Sequence, residues 1–147
     1  MTISINKGGF KTIISSAAAT ASGTSEEFSF LKGTKSLIVQ LDVTAAATDV
    51  GDILAVWLQG TVDGTNFYDL GRFADVLGNG GTKRYLMILN REYAAESEIV
   101  TPTDATMSAS TVNQGPFPDT LRIKYTVTDA GTDNASFTFS VKINAIK

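Results

Sequence analysis

The chain has 147 residues, a formal net charge of −3, and neither cysteine nor histidine. The lack of both residue types excludes disulfides, thiol nucleophiles and cysteine metal sites, and it removes the commonest general base and transition-metal ligand. An acidic chain also lacks the basic surface that binds a phosphate backbone, so we expect no contact with nucleic acid. We therefore predict a protein that is not an enzyme and has no cofactor or metal site.

Chain length and apolar runs bear on membranes and on domain number. The longest apolar run covers residues 53–58, far fewer than the roughly 20 residues that span a bilayer. Residues 1–7 lack the basic and apolar regions of a secretory signal, and no membrane partner is expected. A chain of this length can bury a core without disulfides or metals. We predict one domain over residues 11–147, preceded by an N-terminal arm over residues 1–10.

The arm has the pattern of an extended segment. Ile3 and Ile5 alternate with polar residues, and Gly8-Gly9 follow. Glycine tolerates most backbone conformations, so the pair predicts a hinge. An extended segment of this kind can add as a strand to an exposed sheet edge of another protein. Ile3 and Ile5 are therefore candidate partner contacts, and a frayed chain end is the alternative.

Alternation of apolar and polar residues predicts a series of strands before residue 90. They run over Phe10–Ser15, Phe28–Phe30, Ser36–Thr44, Ile53–Thr61, Asn66–Phe73 and Lys83–Leu89. Asp63-Gly64 lies between two of them and is a strong hairpin signal. Residues 17–24 are small or polar, and they predict either a loop or a stretch packed closely against a neighbour.

The strand over residues 53–61 is apolar on both faces. Leu54, Val56 and Leu58 lie on one face, opposite a second apolar set that includes Trp57. One face of an antiparallel sheet normally meets water, so the second face needs cover. The cover is either an insertion of the same chain or another subunit, and on the second interpretation Leu54, Val56 and Leu58 are candidate partner contacts.

Residues 90–118 break the two-residue period. Connections longer than about 12–15 residues are usually functional or disordered, so this insertion loop is the first place to expect a specific contact. It contains Tyr93, a further candidate partner contact, and residues 91–98 could form a short helix.

Two strands with strict alternation close the sequence, over residues 120–128 and 135–144. We predict that they pair with each other through residues 129–134 and present one continuous apolar face. Tyr125 and Phe139 are expected to be buried on that face. Together the strands predict an all-β fold, an antiparallel β-sandwich with one long insertion loop.

Paired carboxylates offer only weak candidates for chemistry. Asp49 with Asp52, or Asp63 with Asp69, could supply oxygen ligands to Ca²⁺, but solvated turn carboxylates are the favoured interpretation. Asp42 with Asp69 is disfavoured as a glycosidase pair because nothing in the sequence indicates a pocket that raises a carboxyl pKa.

Aromatic and glycine-rich segments also have structural interpretations. Trp57, Phe67, Tyr68 and Tyr93 could line a sugar-binding platform, although core packing is the favoured role of Trp57. Residues 78–81 are glycine-rich but lack a following helix and a Lys-Ser or Lys-Thr pair, so they predict a turn and not a phosphate cradle.

Three segments resemble small β-rich structural proteins of tailed bacteriophages. They are residues 59–70, with the turn Val-Asp-Gly-Thr-Asn-Phe-Tyr, and the closing strand segments 121–127 and 136–142. The resemblance covers about half of the chain. It implies a jelly-roll-like sandwich similar to capsid decoration (cement) proteins, which sit on the phage head as trimers.

The resemblance sets the functional expectation. We expect a non-enzymatic virion structural protein, located on the capsid surface, that forms a homotrimer, binds the major capsid protein and stabilises the head. Several weak contacts within one trimer would add through effective concentration. The alternative is a glycan- or receptor-binding module of a tail appendage.

Overall fold

The computed structural model describes residues 3–5, 10–30, 32–94 and 104–147. Within these ranges the regular structure is entirely β, with no helix. The strands are β1 (Ile3–Ile5), β2 (Phe10–Ala19), β3 (Gly23–Thr24), β4 (Phe28–Phe30), β5 (Ser36–Ala45), β6 (Ile53–Thr61), β7 (Tyr68–Arg72), β8 (Val76–Leu77), β9 (Lys83–Asn90), β10 (Thr111–Val112), β11 (Thr120–Thr128) and β12 (Phe137–Ile146).

The strands form two sheets with jelly-roll connectivity. The small sheet has the order β2-β12-β5-β9, and the large sheet contains the order β4-β11-β6-β7 with shorter strands added around it. Eight strands remain when the short strands β1, β3, β8 and β10 are left out. Numbered 1 to 8 in chain order, they are arranged 1-8-3-6 in the small sheet and 2-7-4-5 in the large sheet. This is the double Greek key of a jelly roll. The predicted antiparallel sandwich is confirmed.

The core lies between the two sheets and follows the alternation in the sequence. In β5 every second side chain from Leu37 to Val43 is buried, and the side chains between them are half-buried on the outer face. Leu54, Val56 and Leu58 of β6 belong to this core and are fully buried by the chain itself. Their predicted contact with another subunit is wrong, because they face the small sheet of their own chain.

The closing strands do not pair with each other, which corrects the predicted hairpin. β11 pairs with β6 in the large sheet, whereas β12 pairs with β2 and β5 in the small sheet. Their apolar faces meet across the core, where the rings of Tyr125 and Phe139 lie 5.2 Å apart in a T-shaped arrangement. A two-residue period fixes which side chains point inward, but it does not fix which strand lies alongside.

The first long strand extends beyond its predicted end. The segment predicted to stop at Ser15 continues to Ala19 as β2, and β3 follows within the predicted small-residue segment. Ala17 and Ala19 lie opposite Phe139 and Phe137 in the ladder between β2 and β12. Residues 17–19 are therefore strand and not loop, but Ala17 and Ala18 are exposed, so close packing of their side chains against a neighbour is not seen.

Residues 3–5 lie on the chain's own large sheet and not on a separate arm. β1 pairs in parallel with β4, with Ile3 opposite Phe28, Ser4 opposite Ser29, and Ile5 opposite Phe30. β1 therefore forms one edge of the large sheet. The predicted hinge at residues 8–9 lies outside the described residues.

Candidate functional site

The outer face of the large sheet is covered by the chain's own insertion. Trp57 and Gln59 point away from the inter-sheet core, yet both are buried. Residues 104–112, called the cover segment below, lie over this face and end in β10, which pairs with β7. Of the two predicted ways to cover the second face of β6, the structure shows the insertion. Residues 91–94 of the insertion form a turn, and the rest of the predicted short helix lies outside the described residues.

Asp69 anchors the cover segment to the large sheet. Its carboxylate is only 2% exposed and accepts hydrogen bonds from the backbone N–H groups of Ala105, Thr106 and Met107 at 2.8–3.0 Å. The side-chain amide of Gln59 donates a further bond at 2.7 Å. A buried carboxylate is stable only when donors surround it in this way. The role of Asp69 is therefore structural.

A second carboxylate fastens the same segment nearer to the surface. Asp104 accepts hydrogen bonds from Gln59 Nε2 at 2.7 Å and Lys124 Nζ at 3.0 Å, and Arg122 lies 3.5 Å away. The bond from Gln59 is the main cause that lowers the pKa of Asp104, and the positive charges of Lys124 and Arg122 act in the same direction. Arg122 also stacks on the ring of Phe67 at 3.5 Å.

Trp57 lies beneath a cation on this covered face. The guanidinium of Arg72 sits 4.6 Å from the centre of its ring. Arg72 donates to Met107 O at 3.0 Å and to Asp75 at 2.7 Å, so the cover segment helps to hold it in place. Trp57 is buried, as expected, but it packs on the outer side of the sheet and not in the inter-sheet core.

The other predicted carboxylates hold turns and loops. Asp63 accepts hydrogen bonds from the backbone N–H groups of Thr65 and Asn66 at 2.8 Å, and these bonds hold its pKa well below the ordinary range. Asp49 binds backbone N–H groups of residues 132–133, and Asp52 binds that of residue 130. No three metal-ligating side chains gather anywhere in the described part of the chain.

The two members of the disfavoured glycosidase pair lie on opposite sides of the molecule. Asp42 is on the outer face of the small sheet, where it pairs with Arg84 at 3.2 Å. Asp69 is buried on the outer face of the large sheet. With the whole sandwich between them, the two carboxylates do not act on one bond.

No described segment lies over the outer face of the small sheet. Phe10 is 69% exposed, Leu86 63% and Ile88 53%, and half-buried Ile38 lies beside them. We call Phe10, Ile38, Leu86 and Ile88 the open face. Ile88 lies opposite Ile38, which lies opposite Asn144, which lies opposite Phe10, so one row of the ladder crosses all four strands.

A shallow groove divides the open face. It has a volume of about 360 Å³ and runs between Phe10 and Leu86 over Gln40 and Lys142. Lys142 Nζ lies 5.6 Å from the ring of Phe10, and it forms no ion pair with any described residue. With Arg84 and Asp42 nearby, the rim of the open face carries two cations and one carboxylate. An exposed apolar patch with a polar rim is typical of an interaction surface.

The sequence of β9 contains a signal for this surface. In β9 the inward residues Met87 and Leu89 are apolar, and so are the outward residues Leu86 and Ile88. This is the same two-sided apolar pattern that marked β6. Phe10 and Ile38 join the surface only through the pairing of β2, β12, β5 and β9, which a single strand does not reveal.

The structure does not bring the predicted contact residues together. Ile3 and Ile5 lie in β1 at the edge of the large sheet, and Leu54, Val56 and Leu58 lie in the core. Tyr93 is exposed in the turn after β9.

The candidate sugar platform does not form among the described residues. Trp57 and Phe67 are buried, and Tyr68 is half-buried. The strongly exposed aromatics are Phe10, on the edge strand β2, and Tyr93, in the turn after the opposite edge strand β9. These two edge strands are separated by three strand spacings, or about 14 Å.

Comparison with known proteins adds no family to this description. No family model matches the chain, and a search of curated proteins finds no match. The described residues also contain no helix that is long and apolar enough to cross a membrane.

Proposed function

We propose that the protein is a non-enzymatic virion structural protein, a capsid decoration (cement) protein that binds the major capsid protein on the outer surface of a phage head. The observation that carries the proposal is the open face, an exposed aliphatic surface on a rigid jelly-roll sheet. The resemblance of residues 59–70 and of the closing strands to phage structural proteins supports the same function.

The chemistry of the open face favours a protein partner. Leu86, Ile88 and Ile38 are aliphatic, and burying one such side chain contributes about 1.5–3 kcal/mol. Their contacts are modest in one copy, but they add through effective concentration when several copies on one shell are linked. The glycan-binding alternative loses support because Trp57 and Phe67 are buried.

We also propose that the protein acts as a homotrimer. The second apolar face of β6 gives no support for an assembly, because the cover segment lies over it. Support for the trimer comes from the resemblance to capsid decoration proteins, which sit on the phage head as trimers.

Binding to heads assembled without this protein tests the proposal. Such heads are mixed with wild-type protein or with the double variant Leu86→Ser, Ile88→Ser, and the bound fraction is measured by co-sedimentation. We expect the variant to bind at least about tenfold more weakly, since one decade in affinity corresponds to 1.4 kcal/mol.

The control is Val62→Ser, which removes an aliphatic side chain that is 84% exposed at the tip of the β6–β7 turn, outside the open face. It should bind like wild type. Equal binding by wild type and the double variant would refute the open face as the docking surface. Failure of the wild-type protein to bind heads at all would refute the decoration function itself.

A further inference from the structure

The edge of β4 is formed by the body of the domain without help from β1. Phe28 is fully buried and Leu121 of β11 is its ladder partner. The ring of Phe30 packs edge-on against Phe28 at 6.2 Å and against Phe117 at 6.0 Å. The β4 strand is therefore held by contacts with β11 and Phe117 that do not involve β1.

β1, in contrast, is held by a short ladder. Its pairing with β4 is parallel and covers three residues on each strand. Parallel pairing is slightly less stable per residue than antiparallel pairing, and β1 pairs with β4 on one side only. Any copy of residues 3–5 fits the backbone of β4 equally well, so exchange between two copies keeps the number of backbone hydrogen bonds unchanged.

The connection between β1 and β2 limits where an exchanged β1 can bind. Residues 6–9 join β1 in the large sheet to Phe10, which begins β2 in the small sheet. Five Cα–Cα steps span at most about 17 Å. A neighbouring β4 edge within this reach must lie against the side of the sandwich where β2 and β4 run.

Phe10 marks the same side of the molecule. It is the first residue of β2, an edge strand of the small sheet, and it is the most exposed aromatic side chain among the described residues. A second copy that receives β1 has its β4 edge within about 17 Å of Phe10, near enough to contact the ring. One contact with a second copy would involve both the exposed ring of Phe10 and the short ladder between β1 and β4.

We propose that β1 is exchanged between copies of this chain, so that residues 3–5 of one copy complete the β4 edge of the next. The occupant of the β4 edge is then a second copy of the protein. That copy also contacts Phe10 at the β2 margin of the open face, and Leu86 and Ile88 on β9 at the other margin stay free for the head. This inference rests on the proposed homo-oligomer and does not require attachment to a phage head.

Single-cysteine variants test the exchange, because the chain has no cysteine of its own. Ser4 and Ser29 are directly paired in the ladder, and the strand spacing of about 4.8 Å suits a disulfide. Ser4→Cys protein and Ser29→Cys protein are refolded together and oxidised. We expect disulfide-linked pairs of the two variants on a non-reducing gel.

The control pairs Ser4→Cys with Thr128→Cys. Thr128 lies at the far end of β11, seven residues beyond Leu121, or about 23 Å along the strand. This mixture should give no linked pairs above background. In the first mixture, adding Phe10→Ser to both variants should reduce linked pairs about tenfold, the effect of losing one buried interface aromatic.

The double variant Ser4→Cys, Ser29→Cys distinguishes the outcomes. If the double variant forms only an intramolecular disulfide and the mixed sample gives no linked pairs, the exchange is overturned and β1 stays on its own chain. The absence of any cross-link also overturns it, since β1 is then not held at a β4 edge. Head binding is measured separately, so either proposal can fail while the other stands.

Discussion

The outer faces of the two sheets differ in how their apolar side chains are covered. Both carry apolar side chains that point away from the core, Trp57 on the large sheet and Leu86 with Ile88 on the small sheet. The large sheet is covered by residues 104–112 of its own chain, whereas the small sheet is exposed across four strands. An apolar outer face in a sequence therefore indicates a contact, but it does not say whether the contact lies within the chain.

The two faces also differ in the type of interaction that they offer. The cover segment is held by a buried carboxylate and backbone N–H groups, which have fixed partners within the chain. The open face offers aliphatic side chains and a cation, Lys142, that forms no ion pair among the described residues. Fixed polar bonds suit a permanent intramolecular contact, and an aliphatic surface suits association with a separate molecule.

The largest expected difference is between two phenylalanines, one in the core and one on the open face. Phe139 is fully buried, and its replacement by Ala should lower the free energy of unfolding by about 3–5 kcal/mol because of the cavity that remains. Phe10→Ala should change it by less than about 0.5 kcal/mol in the isolated chain, since the ring is exposed. Urea denaturation of both variants checks this. A Phe139→Ala protein that melts like wild type would contradict the assignment of the core.

The next difference compares carboxylates on the two outer faces. Asp69→Ala leaves three backbone N–H groups of the cover segment without their acceptor, and we expect a loss of about 3 kcal/mol in unfolding free energy. Asp42→Ala removes a surface ion pair on the small sheet and should cost about 0–1 kcal/mol. Chemical denaturation compares the two directly. Equal losses would mean that the cover segment contributes little to stability.

The fluorescence of Trp57, the only tryptophan, measures locally how the covered face and the open face differ. Trp57 is shielded by Arg72, which donates to Met107 of the cover segment. Asp69→Ala should therefore increase quenching of its emission by acrylamide under conditions where the domain stays folded. Ile88→Ser on the open face should leave quenching unchanged, because Ile88 does not line the groove that Arg72 and Ser110 share. An increase in both variants would indicate general loosening instead of release of the cover.

The sequence predicted the parts of this structure that depend on local pattern. The alternation in β5 and the Asp63-Gly64 turn are local, and both are confirmed. The pairing of the closing strands was wrong because two apolar strands satisfy the same period side by side or face to face. Pairing partners are set by the whole topology.

The hydrogen bonds of Asp69 to the cover segment could not be predicted from local sequence pattern, for a different reason. Its donors are backbone N–H groups 36–38 residues away along the chain, and every residue type except proline carries one. No side-chain pattern marks such a site. The open face was partly visible in β9, where Leu86 and Ile88 face outward, but its extension to Phe10 requires the strand order.

The smallest expected effect concerns the pH dependence of the covered face. The folded-state pKa of Asp104 lies below its ordinary value of 3.8, chiefly through the bond from Gln59. The stabilisation that this carboxylate provides is thus fully present well above pH 3.8 and is lost as the pH falls through the lowered folded-state pKa. The cover segment should loosen over that acidic range.

Acrylamide quenching of Trp57 between pH 7 and pH 3 measures this loosening, with Asp104→Asn and Asp63→Asn as the compared variants. The pKa of Asp63 is also lowered, but by bonds within the β6–β7 turn, away from the cover segment. All other carboxylates are the same in wild type and in the Asp104→Asn variant, so the difference between these two proteins isolates the contribution of Asp104. Asp104→Asn should raise quenching at pH 7 and flatten its rise in acid, whereas Asp63→Asn should keep the wild-type profile. If Asp104→Asn follows the wild-type curve throughout, the ion pair with Lys124 does not hold the cover, and Asp69 alone fastens it.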